Sequence, residues 1–118
     1  MFKITVRQSG EVTIFDCAGK LVTGEPSLAL REAVREQLQK GNFKIIVNMA
    51  TVTYVDVSGL RELVSSYTKM RNKGGDLKIL FITSQFRDML RMTSMFSLFD
   101  TFECEEIVIS SFRPVIFL

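Results

Sequence analysis

The sequence has no histidine and no tryptophan, and only two of its 118 residues are cysteines. Without histidine, the chain cannot form a Ser–His or Cys–His nucleophile pair or a mixed Cys/His metal cluster. Cys17 and Cys104 are far apart, and neither belongs to a CxxC motif. We therefore expect two buried free thiols in a reducing cytosol in preference to a disulfide. These absences exclude the common histidine-dependent enzymes and zinc sites.

An excess of one charge and long apolar runs are also missing. The 15 Lys and Arg residues are balanced by 13 Asp and Glu, and the two kinds are interleaved, as in Arg31-Glu32. A chain without a basic stripe gives no reason to expect nucleic acid or an anionic membrane as a partner. Apolar runs are far shorter than a bilayer span, and residues 2–7 alternate like a strand instead of forming a signal peptide. The sequence predicts a cytoplasmic protein with one domain over residues 1–118.

Nucleotide-binding motifs are absent as well. The chain contains neither GxxxxGK[ST] nor a GxGxxG that follows a strand. Gly74-Gly75 lies between a predicted helix and a predicted strand, where glycine ends a helix. Glu105 and Glu106 lie on a predicted surface helix, where solvation is the simplest explanation of paired carboxylates. We expect a protein that is not an enzyme, with no cofactor and no metal.

Hydrophobic periodicity predicts an N-terminal hairpin and then strands alternating with helices. Ser27 and Ser84 are the predicted N-caps of the first and third helices. The predicted elements are strands over 2–7, 12–18, 43–47 and 77–82, and helices over about 27–40, 58–73, from 84 onward, and 105–112. This order predicts an α/β fold with a mixed, mainly parallel sheet, opened by the hairpin and covered by about four helices. The apolar tail over 115–118 is predicted to pack on the domain or on a neighbour.

One segment allows a functional interpretation besides a structural one. Asp56-Val57-Ser58-Gly59 follows a short apolar run, and a helix begins at once. Asp and Ser are common at helix N-termini, so capping is the simplest interpretation and the one that the residues alone favour. A hydroxyl there also faces free backbone N–H groups and the positive end of the helix dipole. A phosphate on Ser58 would be stabilised without refolding, and Gly59 leaves the hydroxyl accessible.

The run TYVDVSGLRELV resembles the signature of STAS domains of anti-sigma factor antagonists, in which apolar-Asp-(Ser/Thr)-Ser-Gly-Leu opens the second helix. The resemblance covers nearly the whole chain, because further family segments follow in the same order. These are the initial hairpin, GKL before the first helix, IIVNM at the central strand, GGDLKIL after the second helix and MTSMFSLF after the third.

The resemblance implies a phosphorylation switch. In that family, the serine before glycine is phosphorylated by a protein kinase that is itself the anti-sigma factor. The unmodified antagonist binds this kinase and frees the sigma factor, and a separate phosphatase resets the switch. Carried over to this chain, Ser58 is the phosphorylation site, and Asp56, Gly59 and Leu60 are partner-binding residues. A monomer or weak homodimer is expected.

The chain departs from the family pattern at two positions. Val57 stands where Ser or Thr is common, so Ser58 has no adjacent alternative acceptor. Val22 stands where many antagonists carry an acidic residue, with Glu25 the nearest replacement charge.

Two other functions stay open. One is a STAS scaffold or accessory subunit of a stress-sensing or membrane transport complex, and the other, much less favoured, is an enzyme.

The missing motifs give a first prediction. The purified protein should neither bind nor hydrolyse ATP, because the chain has no phosphate-cradling loop and no histidine base. Calorimetric titration with magnesium-ATP should give only the heat of dilution. A stoichiometric isotherm would contradict the prediction and indicate a nucleotide-binding STAS domain.

Overall fold

The computed structural model describes residues 1–113, so the apolar tail over 115–118 lies outside the described residues. The described part contains five strands and four helices. In chain order they are β1 (Phe2–Ser9), β2 (Val12–Leu21), α1 (Glu25–Gln39), β3 (Lys44–Val55), α2 (Val57–Asn72), β4 (Asp76–Leu80), α3 (Ser84–Met92), β5 (Thr101–Phe102) and α4 (Glu105–Ser110).

The five strands form one mixed sheet in the order β1-β2-β3-β4-β5. β1 and β2 pair antiparallel as a hairpin, whereas the β2–β3, β3–β4 and β4–β5 pairs are parallel. The pairing of Phe15 with Val47, and of Val47 with Ile79, places one apolar row across the three central strands. This architecture confirms the predicted α/β fold with a mixed sheet opened by an N-terminal hairpin.

The two faces of the sheet are covered unequally, because side chains alternate between faces along each strand. The larger core lies on the face under α1, α2 and α3, and its fully buried side chains include Phe15, Val47, Leu63 and Phe86. On the opposite face α4 covers a smaller cluster of five buried residues: Val12, Ile14, Ile46, Leu80 and Val108. The helix pair α1–α2 therefore lies on the main face, where it forms the cleft described below.

Several strand boundaries differ from those predicted, and β5 was not predicted as a strand. β1 and β2 end at Ser9 and Leu21, beyond the predicted ends at 7 and 18. β3 runs to Val55, well beyond the predicted end at 47, so a strand leads directly into α2 without the expected loop. β4 ends at Leu80, because Phe81 has a positive φ of 59° that is incompatible with extended backbone. β5 lies in a segment predicted as an apolar connection, and two residues are too few to show a period of two.

The predicted serine caps are wrong at both helices. α1 begins at Glu25 after Gly24, and the Ser27 hydroxyl donates instead to the Val22 carbonyl at 2.8 Å. The earlier start is possible because Pro26 lies in the first turn, where its missing N–H is not needed. At α3 the N-cap is Thr83, whose hydroxyl accepts from Phe86 N at 3.2 Å. At the other predicted helix boundaries, α1 ends one residue earlier, α2 begins and ends one residue earlier, and α4 ends two residues earlier.

A surface ion cluster connects α4 to the hairpin. Arg7 on β1 donates to Asp16 on β2, with Nε 2.6 Å from Oδ2, and its Nη2 also pairs with Glu105 at the start of α4. The hydrogen bonds from Arg7 hold the pKa of Asp16 and that of Glu105 below their usual range, and Asn48 adds a second donor to Asp16. Folding therefore favours the charged form of both carboxyls.

The ion cluster predicts how stability responds to acid. A lowered pKa in the folded state stabilises the fold above the unfolded pKa of about 4, and the contribution is lost as pH falls through the folded pKa. We expect the free energy of unfolding to decrease below about pH 4–5, and Arg7→Gln to flatten that decrease. Urea unfolding at a series of pH values measures both curves, with Lys3→Gln on the same strand as control. Parallel curves for Arg7→Gln and the wild type would contradict the role of the cluster.

The first turn of α2 lies against the end of β2. The Leu21 carbonyl accepts from Asp56 N at 3.2 Å, and a Cβ on Gly59 would lie only 2.1 Å from the same oxygen. The clashing atom belongs to the backbone of Leu21, which is paired with Val55 on β3, so it cannot swing aside as a flexible side chain could. Glycine is therefore required at position 59 by packing.

Replacing this glycine should reverse the usual effect of alanine in a helix. Gly→Ala in a helix interior normally stabilises by about 0.5–1 kcal/mol, whereas overpacking costs about 1–3 kcal/mol. We expect Gly59→Ala to lower the free energy of unfolding by about 1–3 kcal/mol, measured by urea denaturation. Lys69→Ala, on the exposed side of the same helix, should stay within about 0.5 kcal/mol of the wild type. An unchanged or increased stability of Gly59→Ala would refute the close contact.

Candidate functional site

Asp56 fixes the junction at which the candidate site is built. It is the N-cap of α2, where its Oδ1 accepts from Gly59 N at 2.8 Å. Its Oδ2 accepts from Thr23 N at 3.0 Å, in the loop between β2 and α1. One carboxylate thus begins the helix and holds the neighbouring loop beside it. The capping interpretation of this aspartate from the sequence is confirmed.

Ser58 is the second residue of α2 and is half-buried, so it lies in the first turn as the sequence predicted. No hydrogen bond among residues 1–113 uses its hydroxyl. The first-turn N–H groups of a helix lack intrahelical partners, and the positive end of the dipole lies at the same place. The position suits a negatively charged group on the serine oxygen.

Ser58 opens onto a cleft of about 360 Å³ between α1 and α2. The lining is mostly polar, with four hydroxyl-bearing and three charged side chains. The hydroxyls belong to Thr23, Ser27, Ser58 and Ser65, and the charges to Arg31, Arg61 and Glu62. Such a surface is more suited to a charged group than to an apolar ligand.

Glu62 is a charged residue on the buried side of α2. Its side chain is only 5% exposed, and Oε1 accepts from Nε and Nη2 of Arg31 at 3.0 and 2.9 Å. Its Oε2 and the Ser66 hydroxyl have no hydrogen-bond partner among the residues described. Neither Glu62 nor its contact with Arg31 was predicted from the sequence. The available signal was the four-residue spacing of Glu62, Ser66 and Met70, which places a carboxylate on the apolar face of the helix.

Two of the predicted partner-binding residues lie beneath the surface. Gly59 is buried, and Leu60 packs in the main core at 3% exposure. Two apolar side chains near Ser58 face outward: Val57 and Leu28, at 53% and 49% exposure. Val57 precedes Ser58 in the chain, and Leu28 lines the same cleft. The surface around the hydroxyl therefore combines a charged cleft with an apolar rim.

The remaining chemistry of the described residues is limited. Cys17 and Cys104 are free, and burial raises the pKa of the Cys17 thiol to about 12, which makes it unreactive near neutral pH. Cys17 is buried as predicted, whereas Cys104 is only half-buried. In residues 1–113 no cluster of potential metal ligands is found. No helix in that part of the chain is long and apolar enough to cross a membrane.

Solved structures of other proteins share this fold. A putative anti-sigma factor antagonist from Thermotoga maritima is 17% identical, with a TM-score of 0.87 over 94% of this chain and 95% of that one. The phosphorylated Bacillus cell fate determinant SpoIIAA is 16% identical, with a TM-score of 0.75 over 94% of this chain and 100% of that one. A sulfate transporter family protein from Wolinella succinogenes is 14% identical, with a TM-score of 0.74 over 87% of this chain and 85% of that one.

At such identities the structural likeness shows a shared fold, while the family follows from the sequence itself. The family model of the STAS domain matches residues 3–106, from the second residue of β1 to the second residue of α4. The predicted STAS-like fold is confirmed, and the chain belongs to the STAS domain family.

Proposed function

We propose that this protein is an anti-sigma factor antagonist whose partner binding is switched off by phosphorylation of Ser58. The unmodified protein binds an anti-sigma factor that is also a serine kinase, and the sigma factor is released. Phosphorylation by that kinase ends the binding, and a phosphatase restores it. The protein acts in the cytoplasm as a monomer or weak homodimer and is not an enzyme.

The observation that carries the proposal is the position of Ser58 in the first turn of α2, with its hydroxyl at an open cleft. A kinase can reach the hydroxyl there, and the free N–H groups of the turn can hold a phosphate without refolding. The likeness to a putative anti-sigma factor antagonist, and to SpoIIAA, whose unphosphorylated structure is described as that of an anti-sigma factor antagonist, supports the same role.

The surroundings of Ser58 give a physical reason for the switch. A partner that covers Val57, which is next to Ser58 in the chain, and Leu28, which lines the same cleft, buries apolar surface and removes water from the hydroxyl. A phosphate under the same partner would be desolvated and would meet any like charge, for which several kcal/mol is the expected scale. Asp56, Gly59 and Leu60 contribute to partner binding by fixing the first turn of α2.

The alternative is a scaffold or accessory subunit of a stress-sensing or membrane transport assembly. The likeness to a sulfate transporter family protein supports it, because that protein has the same fold at a similar TM-score. Such a subunit does not need a modifiable hydroxyl at position 58. The two proposals therefore differ in whether a charge at Ser58 changes partner binding.

Substitution of Ser58 tests the switch. Ser58→Asp should melt within a few degrees of the wild type, because a carboxylate at a helix N-terminus gains about 0.3–1 kcal/mol. It should bind the anti-sigma factor about 100- to 1000-fold more weakly, which corresponds to a cost of about 3–4 kcal/mol. Ser58→Ala should bind like the wild type and accept no phosphate. Calorimetric titration with the anti-sigma factor that co-purifies with Ser58→Ala from the native host measures these affinities.

The matched control is Ser84→Asp, which places the same charge in the first turn of α3. It should leave both the melting temperature and the affinity near wild-type values. If Ser58→Asp binds as tightly as Ser58→Ala, charge at this site does not control binding and the switch is wrong. If the only proteins that co-purify are transport or scaffold components, the accessory-subunit alternative is supported.

A further inference from the structure

Three charged side chains line the cleft onto which Ser58 opens: Arg31, Arg61 and Glu62. Arg61 and Glu62 follow Ser58 by three and four residues, so they lie on the same side of α2. Arg31 reaches the cleft from α1. With two positive charges and one negative, the cleft has a net positive charge beside the hydroxyl that we propose is phosphorylated.

The contact between Arg31 and Glu62 leaves part of the guanidinium unused. Nε and Nη2 of Arg31 both donate to the single oxygen Oε1 of Glu62. This carboxylate does not use Nη1, and the arginine side chain is 53% exposed. A guanidinium has five N–H donors in a rigid planar fork, so one edge can pair with a carboxylate while another binds an anion.

The burial of Glu62 is not explained by stability alone. One of its oxygens has no donor among the described residues, although the side chain is more than nine-tenths buried. A half-paired buried carboxylate is costly, and an apolar residue of similar size is often as stable or more stable. Sites that break such rules without a gain in stability are commonly functional. Holding the Arg31 guanidinium at the cleft is a task that an apolar residue could not perform.

We propose that Arg31 and Arg61 form the receptor for a phosphate on Ser58, with Glu62 as the positioning residue for Arg31. The inference rests on the proposed phosphorylation of Ser58 and adds the residues that receive it. The phosphate oxygens accept hydrogen bonds from Nη1 of Arg31, from the Arg61 guanidinium and from first-turn N–H groups of α2 other than that of Gly59, which already donates to Asp56. Charge-assisted bonds of this kind are shorter and stronger than neutral ones.

This receptor determines the local structure of the phosphorylated state. A phosphate of charge about −1.5 to −2 reverses the net charge of the cleft, and two arginines hold it between α1 and α2. A partner that approaches the apolar rim then meets a filled cleft whose arginines are already engaged. The modified state is thus a defined local structure, with the phosphate bound to the protein instead of free in solvent.

The test uses the whole chain with phosphoserine introduced at position 58 by semisynthesis or genetic encoding, so no partner protein is needed. Phosphorus NMR follows the second ionisation of the phosphate, which has a pKa of about 6 when unperturbed. Arginine contacts favour the dianion, so the wild-type pKa should lie below that value. In Arg61→Gln and in Arg31→Lys it should rise by about 0.5 or more toward the value in urea-unfolded protein.

The choice of variants separates direct contact from other effects. Arg31→Lys keeps a positive charge beside Glu62 and preserves the fold, but an ammonium lacks the fork that serves two anions at once. Arg35 is an exposed arginine one turn further along α1, where it pairs with Glu32. Arg35→Gln should therefore leave the phosphate pKa unchanged. The α2 dipole is present in every variant, so it cannot produce differences among them.

A second readout tests Glu62. In the proton–nitrogen NMR spectrum, the Arg31 Nε–H signal should shift on phosphorylation while that of Arg35 stays in place. Glu62→Gln should weaken the response of Arg31 in a protein that remains folded, which a merely structural role for Glu62 would not do. An equal response in Glu62→Gln and the wild type would remove the positioning role.

The receptor itself is overturned if the phosphate titrates alike in the wild type, Arg61→Gln and Arg31→Lys. That result would leave the proposed switch standing, because the switch is judged by partner affinity of Ser58→Asp. Conversely, unchanged partner affinity in Ser58→Asp would refute the switch even if the arginines bind the phosphate. The two proposals therefore fail in different measurements.

Discussion

The geometry of the site depends on the contacts that the Leu21 carbonyl, at the end of β2, makes with the start of α2. This carbonyl accepts from Asp56 N, and it lies so close to Gly59 that no side chain fits between them. Because both groups flank Ser58, the position of the hydroxyl is set by the sheet and not by the loop. In the proposed switch, this junction holds Ser58 in the first turn, so that a charge added there alters binding without altering the fold.

The cleft beside this junction shows a different balance of forces. The helices α1 and α2 pack through apolar residues of the main core, yet their outer edge contains a buried carboxylate paired with an arginine. Removing Arg31 alone would leave the Glu62 carboxylate buried and uncompensated, whereas Arg31 is 53% exposed and can be solvated without its partner. Stability alone favours an apolar residue at position 62. The proposed phosphate receptor gives a physical reason for the carboxylate that is present.

The elements that could be predicted from the sequence are those whose hydrophobic pattern repeats over a long stretch of the chain. The face of α2 repeats over four turns, and the sequence located that helix to within one residue. The predicted strand at β3 ends too early, at residue 47. Two register shifts against β2, near Ala18 and Lys20, interrupt the alternation of buried and exposed residues along β3. A bulge places neighbouring residues on unexpected faces, so a period of two cannot be followed through it. The caps were misplaced because glycine and threonine compete with serine for the same position.

The sequence by itself determined the α/β class, the hairpin, the capping role of Asp56 and the location of Ser58 in the first turn of a helix. Each of these depends on residues that are close in the chain, where propensity and periodicity act. Only the tertiary structure decided that Gly59 is required by a carbonyl 38 positions earlier, that Leu60 is buried, and that Arg31 meets Glu62 across two helices. These contacts join segments distant in sequence, and they arise from how α1 and α2 pack on the sheet, which no local pattern encodes.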